Sequence, residues 1–255
     1  MVVTILAIVL GLVITAGGIV PNVANGMLQT RLNETLNQPE YLRVQVHPAA
    51  PSFSLLSGTI AYTEIDAHRF VISDFPVEEL QVRIDKLQAN TGGEQLSLRE
   101  PTQGVVRLRV TEAGLNRFLQ SDTFRQLLDD LRKRQELVAQ LDADLNDLAI
   151  ELQPDRLIFR GQAATMGGFF TIPFELSGQL RLSSERQLYV QGVQATTLDR
   201  PLPDDMIAAI LTALNPVLDL TKLSNDDMQL YFREITVGDD YLELTGEAQL
   251  KKLPG

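Results

Sequence analysis

One long run of alternating side chains constrains this fold more than any other feature of the sequence. From Phe170 to Leu182, apolar residues alternate with mostly polar ones, so an extended chain would place the apolar set on one face. These 13 residues, at ~3.3 Å each, would span roughly 40 Å, whereas a typical strand has about five or six residues. The run therefore predicts a long, strongly twisted or coiled antiparallel sheet. Because Pro173 cannot donate a ladder hydrogen bond, we expect an edge or a bulge there.

Further strands are predicted where β-forming residues are frequent or where apolar and polar residues alternate. These segments are 59–67, 70–72, 80–85, 229–237 and 241–250. The last two are separated by Gly238-Asp239-Asp240, which predicts a hairpin turn.

Three segments have helical periodicity. The apolar spacing predicts a helix over 23–36, and a short helix is predicted over 202–216. A charged block over 111–144 predicts one long amphipathic helix, with a break near Ser121 and Asp122 because both are good N-cap residues. The apolar residues assigned to one face of this block are Leu127, Leu131, Val138, Leu141, Leu145 and Leu148. Strands and helices together predict an α+β fold, in which a long, strongly curved antiparallel β-sheet is wrapped on amphipathic helices.

The N-terminus carries a long uncharged segment. Residues 2–20 contain no charged side chain, and these 19 residues, at ~1.5 Å each, would cover roughly 28 Å as a helix, about the hydrocarbon thickness of a bilayer. We expect an uncleaved membrane anchor over 1–21, followed by a single elongated domain over 22–255. A cleaved signal peptide is the alternative, although no basic residue precedes the segment and residues 16–18 form a poor cleavage site.

The overall charge argues against two kinds of interaction. The formal net charge is −11, whereas affinity for nucleic acid depends on clustered Lys and Arg. Electrostatic adhesion to anionic lipid headgroups is disfavoured for the same reason. We therefore expect no nucleic-acid partner, and we expect any contact with lipid to use apolar surface. The absence of Cys excludes disulfides and thiol chemistry.

The polar residues form no recognisable catalytic motif. The sequence lacks G-x-S-x-G, Walker, H-E-x-x-H and Rossmann glycine patterns. Glu64, Asp66 and His68 are spaced two residues apart, so a regular strand would project all three from one face, where they could approach a divalent metal. Ligands from a single strand surround a metal ion poorly. We therefore interpret these residues as a solvated strand face and not as a metal site. We therefore predict no enzymatic activity, no metal and no cofactor.

An apolar surface is the remaining candidate site. A long curved sheet closed by amphipathic helices can form a groove that holds acyl chains, and a core filled by side chains is the alternative. Periodicity does not separate these two interpretations. The candidate groove residues are Phe170, Ile172, Phe174, Leu176, Leu180, Ile207, Ile210, Leu211 and Leu214.

Four segments carry a resemblance to a known family. Together with the N-terminal apolar segment and the helix predicted over 23–36, the segments Ser54–Gly58, Gly104–Leu119, Leu202–Pro203 and Leu214–Asp219 are similar to the LmeA-like phospholipid-binding family. The resemblance implies an envelope protein outside the cytoplasm that binds phospholipid, with an architecture resembling the tubular lipid-binding proteins. It supplies no catalytic residues. The chain departs from the family pattern in lacking a basic n-region and in the polar segment over 132–144.

The combined expectation is a membrane-anchored phospholipid-binding protein that holds acyl chains in an apolar groove and serves lipid transfer or envelope maintenance. We expect its domain to lie in the periplasm or a lumen. The alternative is an anchored scaffold that docks a protein partner through the charged helix predicted over 124–144.

Overall fold

Antiparallel β-strands in two sheets make up most of the chain in the computed structural model. The structure describes residues 29–30, 32–34, 36–49, 59–72, 74–90, 97–134, 143–165, 170–198, 200–204, 207–208, 211–212, 215–222, 224 and 226–251. Within these ranges the strands are β1 (Tyr41–Pro48), β2 (Thr59–Ile72), β3 (Phe75–Asn90), β4 (Ser97–Leu98), β5 (Thr102–Thr111), β6 (Ala143–Gln153), β7 (Arg156–Thr165), β8 (Phe170–Ser184), β9 (Gln187–Thr197), β10 (Arg200–Pro201), β11 (Leu218–Asp219), β12 (Met228–Val237) and β13 (Tyr241–Leu250). The helices with defined bounds are α1 (Glu112–Leu119), α2 (Asp122–Arg134) and a 3-10 turn (Leu220–Lys222), and residues 29–30, 32–34, 204, 207–208 and 211–212 are also helical.

The first sheet has the strand order β1-β2-β3-β5-β13-β12, with β4 on β3. In β5, Val106, Leu108 and Val110 are buried, whereas the residues between them are exposed or half-buried, because successive side chains of a strand point to opposite faces. Leu32 and Leu36 have no exposed surface and belong to the same core. The segment around these two leucines therefore packs into the core that lines the inner face of the first sheet.

The outer face of the first sheet is polar and carries ion pairs between neighbouring strands. Glu243 on β13 lies 2.7 Å from Arg107 Nη2 and 2.7 Å from Arg109 Nη2, both on β5. Glu64 on β2 lies 3.0 Å from Arg83 Nη1 on β3. The alternation of side chains along each strand therefore gives the first sheet a polar, solvated outer face and an apolar, buried inner face.

The second sheet has the order β10-β9-β8-β7-β6, with β11 on β9. Leu152, Leu180 and Leu188 are buried in the same core as the first sheet. The turns at this end of the second sheet also bond to β12: Asp155 N donates to Val237 O at 3.0 Å, and Phe232 N donates to Glu185 O at 2.6 Å. The two sheets are thus joined at one end of the second sheet.

Two asparagines close opposite edges of the second sheet. Asn116 on α1 donates from Nδ2 to Ile150 O of β6 at 2.8 Å and accepts from Ile150 N at 2.7 Å. Asn215 makes the same pair of hydrogen bonds with Val190 of β9, at 2.9 and 2.8 Å. Each side chain takes the place of a neighbouring strand, because an edge would otherwise leave backbone donors and acceptors unpaired.

The charged block folds differently from the prediction at its C-terminal end, residues 143 and 144. The predicted break is confirmed, because α1 ends at Leu119 and Ser121 Oγ accepts a hydrogen bond from Phe124 N at the start of α2. The predicted continuation to Asp144 is wrong: residues 135–142 lie outside the described ranges, and Ala143–Gln153 is strand β6. Pairing with β7 supplies a backbone ladder, and a register shift between Asn146 and Ala149 accommodates the helix-like spacing of the apolar residues.

The predicted long strand is confirmed as β8, which has 15 residues. Strand β9 ends opposite Phe174, so β8 has an open side at Pro173, as the missing N–H of proline requires. The β-rich antiparallel class is also confirmed, with the difference that the strands form two sheets instead of one.

The predicted anchor falls outside the part of the chain that can be described. Residues 2–20 are not among the described ranges. Within those ranges, no helix combines the length and apolar character needed to cross a bilayer.

Candidate functional site: the apolar face of the second sheet

Strand β8 places the predicted groove residues on one face of the second sheet. Residues directly opposite each other in antiparallel strands share a face, so the register with β7 identifies the neighbours. The pairs are Ala163–Ile172, Gly161–Phe174 and Phe159–Leu176. All members of these pairs are apolar or glycine, so the two strands form one continuous apolar surface.

This surface is buried at one end and open at the other. Leu180, beside the core shared by the sheets, is 7 % exposed, whereas Ile172 at the far end is 37 % exposed. Phe174 and Leu176 lie between them and are half-buried. Within the described residues, neither of these two side chains belongs to the buried core. The surface therefore leads from the core to solvent without an intervening polar residue on the same face of β8.

Gly161 allows three large side chains to meet over β7. A Cβ atom on Gly161 would lie 2.6 Å from Leu148 Cδ2 and 2.7 Å from Phe174 Cζ, so both side chains lie directly over the glycine. The ring of Phe174 also contacts that of Phe159, with centroids 5.8 Å apart. We call Leu148, Phe159, Ile172, Phe174 and Leu176 the β8 face.

Sequence reasoning missed two members of the β8 face. Leu148 was assigned to a helix, and its position on β6 follows only from strand pairing. Phe159 lies in the run Leu157-Ile158-Phe159, in which three consecutive apolar residues hide the alternation. Only the glycine two residues later, in a segment that otherwise resembles a strand, signals a close approach of neighbouring side chains.

The opposite face of the second sheet is held by charge pairs. Arg160 on β7 forms ion pairs with Glu175 on β8, at 2.7 Å, and with Glu151 on β6. Hydrogen bonds to Glu175 and Glu151 raise the pKa of Arg160 above its ordinary value. A hydrogen bond from Gln153, and then one from Arg160, lower the pKa of Glu151. Arg160 and Glu151 therefore stay charged near neutral pH. Because burying such charges is costly, this face of the second sheet is the solvated one.

The two ends of the predicted 202–216 helix are hydrogen-bonded to strand β9. Leu202 N donates to Ala195 O at 2.8 Å, and the Asn215 bridge fixes the other end of the segment at Val190. Residues 204, 207–208 and 211–212 are helical, and Ile207 and Leu211 are half-buried. Ile210 and Leu214, which were also predicted to line the groove, lie outside the described residues, as does the side chain of Phe170.

The charged helix of the alternative prediction is shorter than expected and partly packed. Phe124 of α2 contacts Phe118 of α1 edge-on at 5.6 Å, and Phe118 contacts Phe75 of β3 at 5.2 Å. Arg125 of α2 pairs with Asp122 of the same helix at 2.8 Å. A single helix over 124–144 does not form, and partner docking by the observed part stays a prediction.

Comparison with known proteins adds one finding. A family model described as LmeA-like phospholipid-binding matches residues 15–247, which is most of the chain and includes the β8 face and both bridging asparagines. No curated protein and no solved structure matches the chain. A match of this extent shows that the chain belongs to the LmeA-like phospholipid-binding family.

Proposed function

We propose that this protein binds phospholipid by holding acyl chains against the β8 face. The supporting observation is an apolar surface that is continuous with the core at Leu180 yet 37 % exposed at Ile172. Hydrocarbon chains would remove this surface from water at a gain of about 25 cal/mol per Å² of apolar area. The charge pairs around Arg160 also favour binding on the β8 face, because they make the opposite face of the sheet unsuited to apolar ligands.

The proposal extends to the place of the protein in the cell. Residues 2–20 would anchor the chain in a membrane, and the domain would lie outside the cytoplasm, in the periplasm or a lumen. Anchoring next to a bilayer would bring the β8 face close to its ligand. The function would then be non-enzymatic, with the protein moving or presenting lipid for envelope maintenance.

Photo-crosslinking of the full-length chain in detergent tests the location of the lipid. The probe is phosphatidylglycerol with a diazirine on one acyl chain, and labelled peptides are identified by mass spectrometry. We expect labels on the peptides of β7 and β8. Labelling confined to the N-terminal segment would contradict the proposal, because the anchor alone would then account for lipid contact.

A pair of neighbouring substitutions gives the matched control. Ile172→Glu puts a carboxylate on the β8 face, whereas Thr171→Glu puts the same charge on the other face of the same strand, where Thr171 is exposed. We expect Ile172→Glu to reduce β7 and β8 labelling by about tenfold, since burying an unpaired carboxylate costs more than ~1.4 kcal/mol, and Thr171→Glu to have little effect. Equal labelling of the two variants would refute the role of this face.

A further inference from the structure

A cluster of metal-ligating side chains lies on the outer face of the first sheet. Asp66 and His68 are two residues apart on β2 and therefore share a face, and Glu79 lies directly opposite His68 on β3. One ligand atom from each of these residues lies within 4.8 Å of the other two. Two strands thus supply the three groups, which removes the objection that ligands from a single strand cannot converge.

One carboxylate oxygen of Asp66 is in close contact with His68. Its Oδ1 atom lies 2.9 Å from His68 Nε2 and is shielded from water there, whereas the Asp66 side chain as a whole is 37 % exposed. Arg43 lies opposite Asp66 on β1 but forms no ion pair with it among the described residues. Asp66 Oδ1 and His68 Nε2 are both metal-ligating atoms, so a divalent cation at this pair would be bound by both.

Glu79 is oriented toward the cluster and remains available. Gln81 Nε2 donates to Glu79 Oε1 at 2.6 Å, which fixes the carboxylate in the way that outer-shell partners fix metal ligands. Arg109 Nη1 is 3.9 Å from Glu79 Oε2, but its guanidinium makes its close hydrogen bonds, at 2.7 and 3.0 Å, to Glu243. The second oxygen of Glu79 is therefore not taken by a close hydrogen bond from Arg109.

Glu64, the third member of the predicted trio, is engaged elsewhere. It accepts a hydrogen bond from Arg83 Nη1 at 3.0 Å and lies 3.8 Å from His47 Nε2. The register between β2 and β3 thus replaces Glu64 by Glu79 as the third candidate ligand.

We propose that Asp66, His68 and Glu79 bind a divalent transition-metal ion, of which Zn²⁺ is the representative case. One imidazole and two carboxylates suit Zn²⁺ and its neighbours in the first transition row better than Mg²⁺ or Ca²⁺, which prefer oxygen ligands alone. A surface depression lined by Tyr41, Asp66, His68, Arg69 and Glu78 opens two of the three proposed ligands, Asp66 and His68, to solvent. Three protein ligands leave at least one coordination position for water or for an outside ligand.

Calorimetric titration of Zn²⁺ into the full-length, chelator-treated chain in detergent tests this site. We expect one ion per chain, with Mg²⁺ at the same concentration unable to compete. Asp66→Asn, His68→Gln and Glu79→Gln should each weaken binding by at least about tenfold. Glu64→Gln is the matched control, because Glu64 lies on the same face of the same strand but outside the cluster, and it should bind as the unchanged chain does.

Three outcomes would overturn the assignment. The first is the absence of Zn²⁺ binding, and the second is undiminished binding by both Asp66→Asn and His68→Gln. The third is an equal loss in Glu64→Gln and His68→Gln, which would indicate diffuse attraction by the strand face. Circular dichroism of each variant without metal separates lost ligands from lost folding, and Co²⁺ in place of Zn²⁺ adds visible absorption bands that report the coordination directly.

Discussion

Removing the Asn116 bridge should destabilise the domain because it opens the β6 edge of the second sheet. In Asn116→Ala, the N–H and C=O of Ile150 lose partners at 2.7 and 2.8 Å, in a part-buried position that water reaches incompletely. Each lost hydrogen bond contributes about 1 kcal/mol net, and an unsatisfied buried group costs more. We therefore expect the free energy of unfolding to fall by about 2 kcal/mol.

Urea titration of the full-length chain in detergent, followed by far-UV circular dichroism, measures this effect. With an m-value of about 3 kcal/mol/M, the unfolding midpoint should fall by roughly 0.7 M. Asn116→Asp keeps an acceptor for Ile150 N–H but replaces the donor by a carboxylate oxygen that faces Ile150 O, so its midpoint should also lie below that of the unchanged chain.

The control is an exposed asparagine on the strand that Asn116 protects. Asn146 lies on β6 and is exposed, so Asn146→Ala should change the free energy of unfolding by no more than about 0.5 kcal/mol. Equal midpoints for Asn116→Ala and Asn146→Ala would refute the reasoning, since the bridge would then contribute nothing beyond an ordinary surface side chain.

Two further predictions concern packing on the β8 face and the charges of the first sheet. Gly161→Ala should lower the free energy of unfolding by about 1–3 kcal/mol, because the new methyl group would lie 2.6 Å from Leu148 and 2.7 Å from Phe174; an unchanged thermal midpoint would show that these side chains move aside freely. Burial opposes the ionisation of Glu243, but hydrogen bonds from the β5 arginines hold its pKa below the ordinary value. The ionised carboxylate therefore stabilises the fold at any pH above the ordinary pKa. This stabilisation is lost as the pH falls through the lowered pKa. Glu243→Gln should therefore lose less stability than the unchanged chain as the pH falls from about 5 to about 3 in urea titrations, and parallel losses would contradict this assignment.

The candidate sites show how far local pattern determines cross-strand neighbours. Alternation correctly predicted that Ile172, Phe174 and Leu176 share a face, because the two-residue period of a strand is a local property. It did not predict that Phe159 and Leu148 complete that face, because these contacts depend on the register of β6 and β7. The cluster of Asp66, His68 and Glu79 on the outer face of the first sheet likewise depends on strand register, here that of β2 and β3.

The sequence by itself determined the length of β8, the open side at Pro173, the helix start at Ser121 and the turn at 238–240. Each of these depends on properties of the chain within a few residues: side-chain alternation, a missing N–H or a capping hydroxyl. Only the tertiary structure decided that the strands divide into two sheets, that residues 143–153 form a strand, and that Asn116 and Asn215 close the edges. These outcomes require backbone groups distant in sequence to find partners, and no local pattern specifies which distant partner satisfies them.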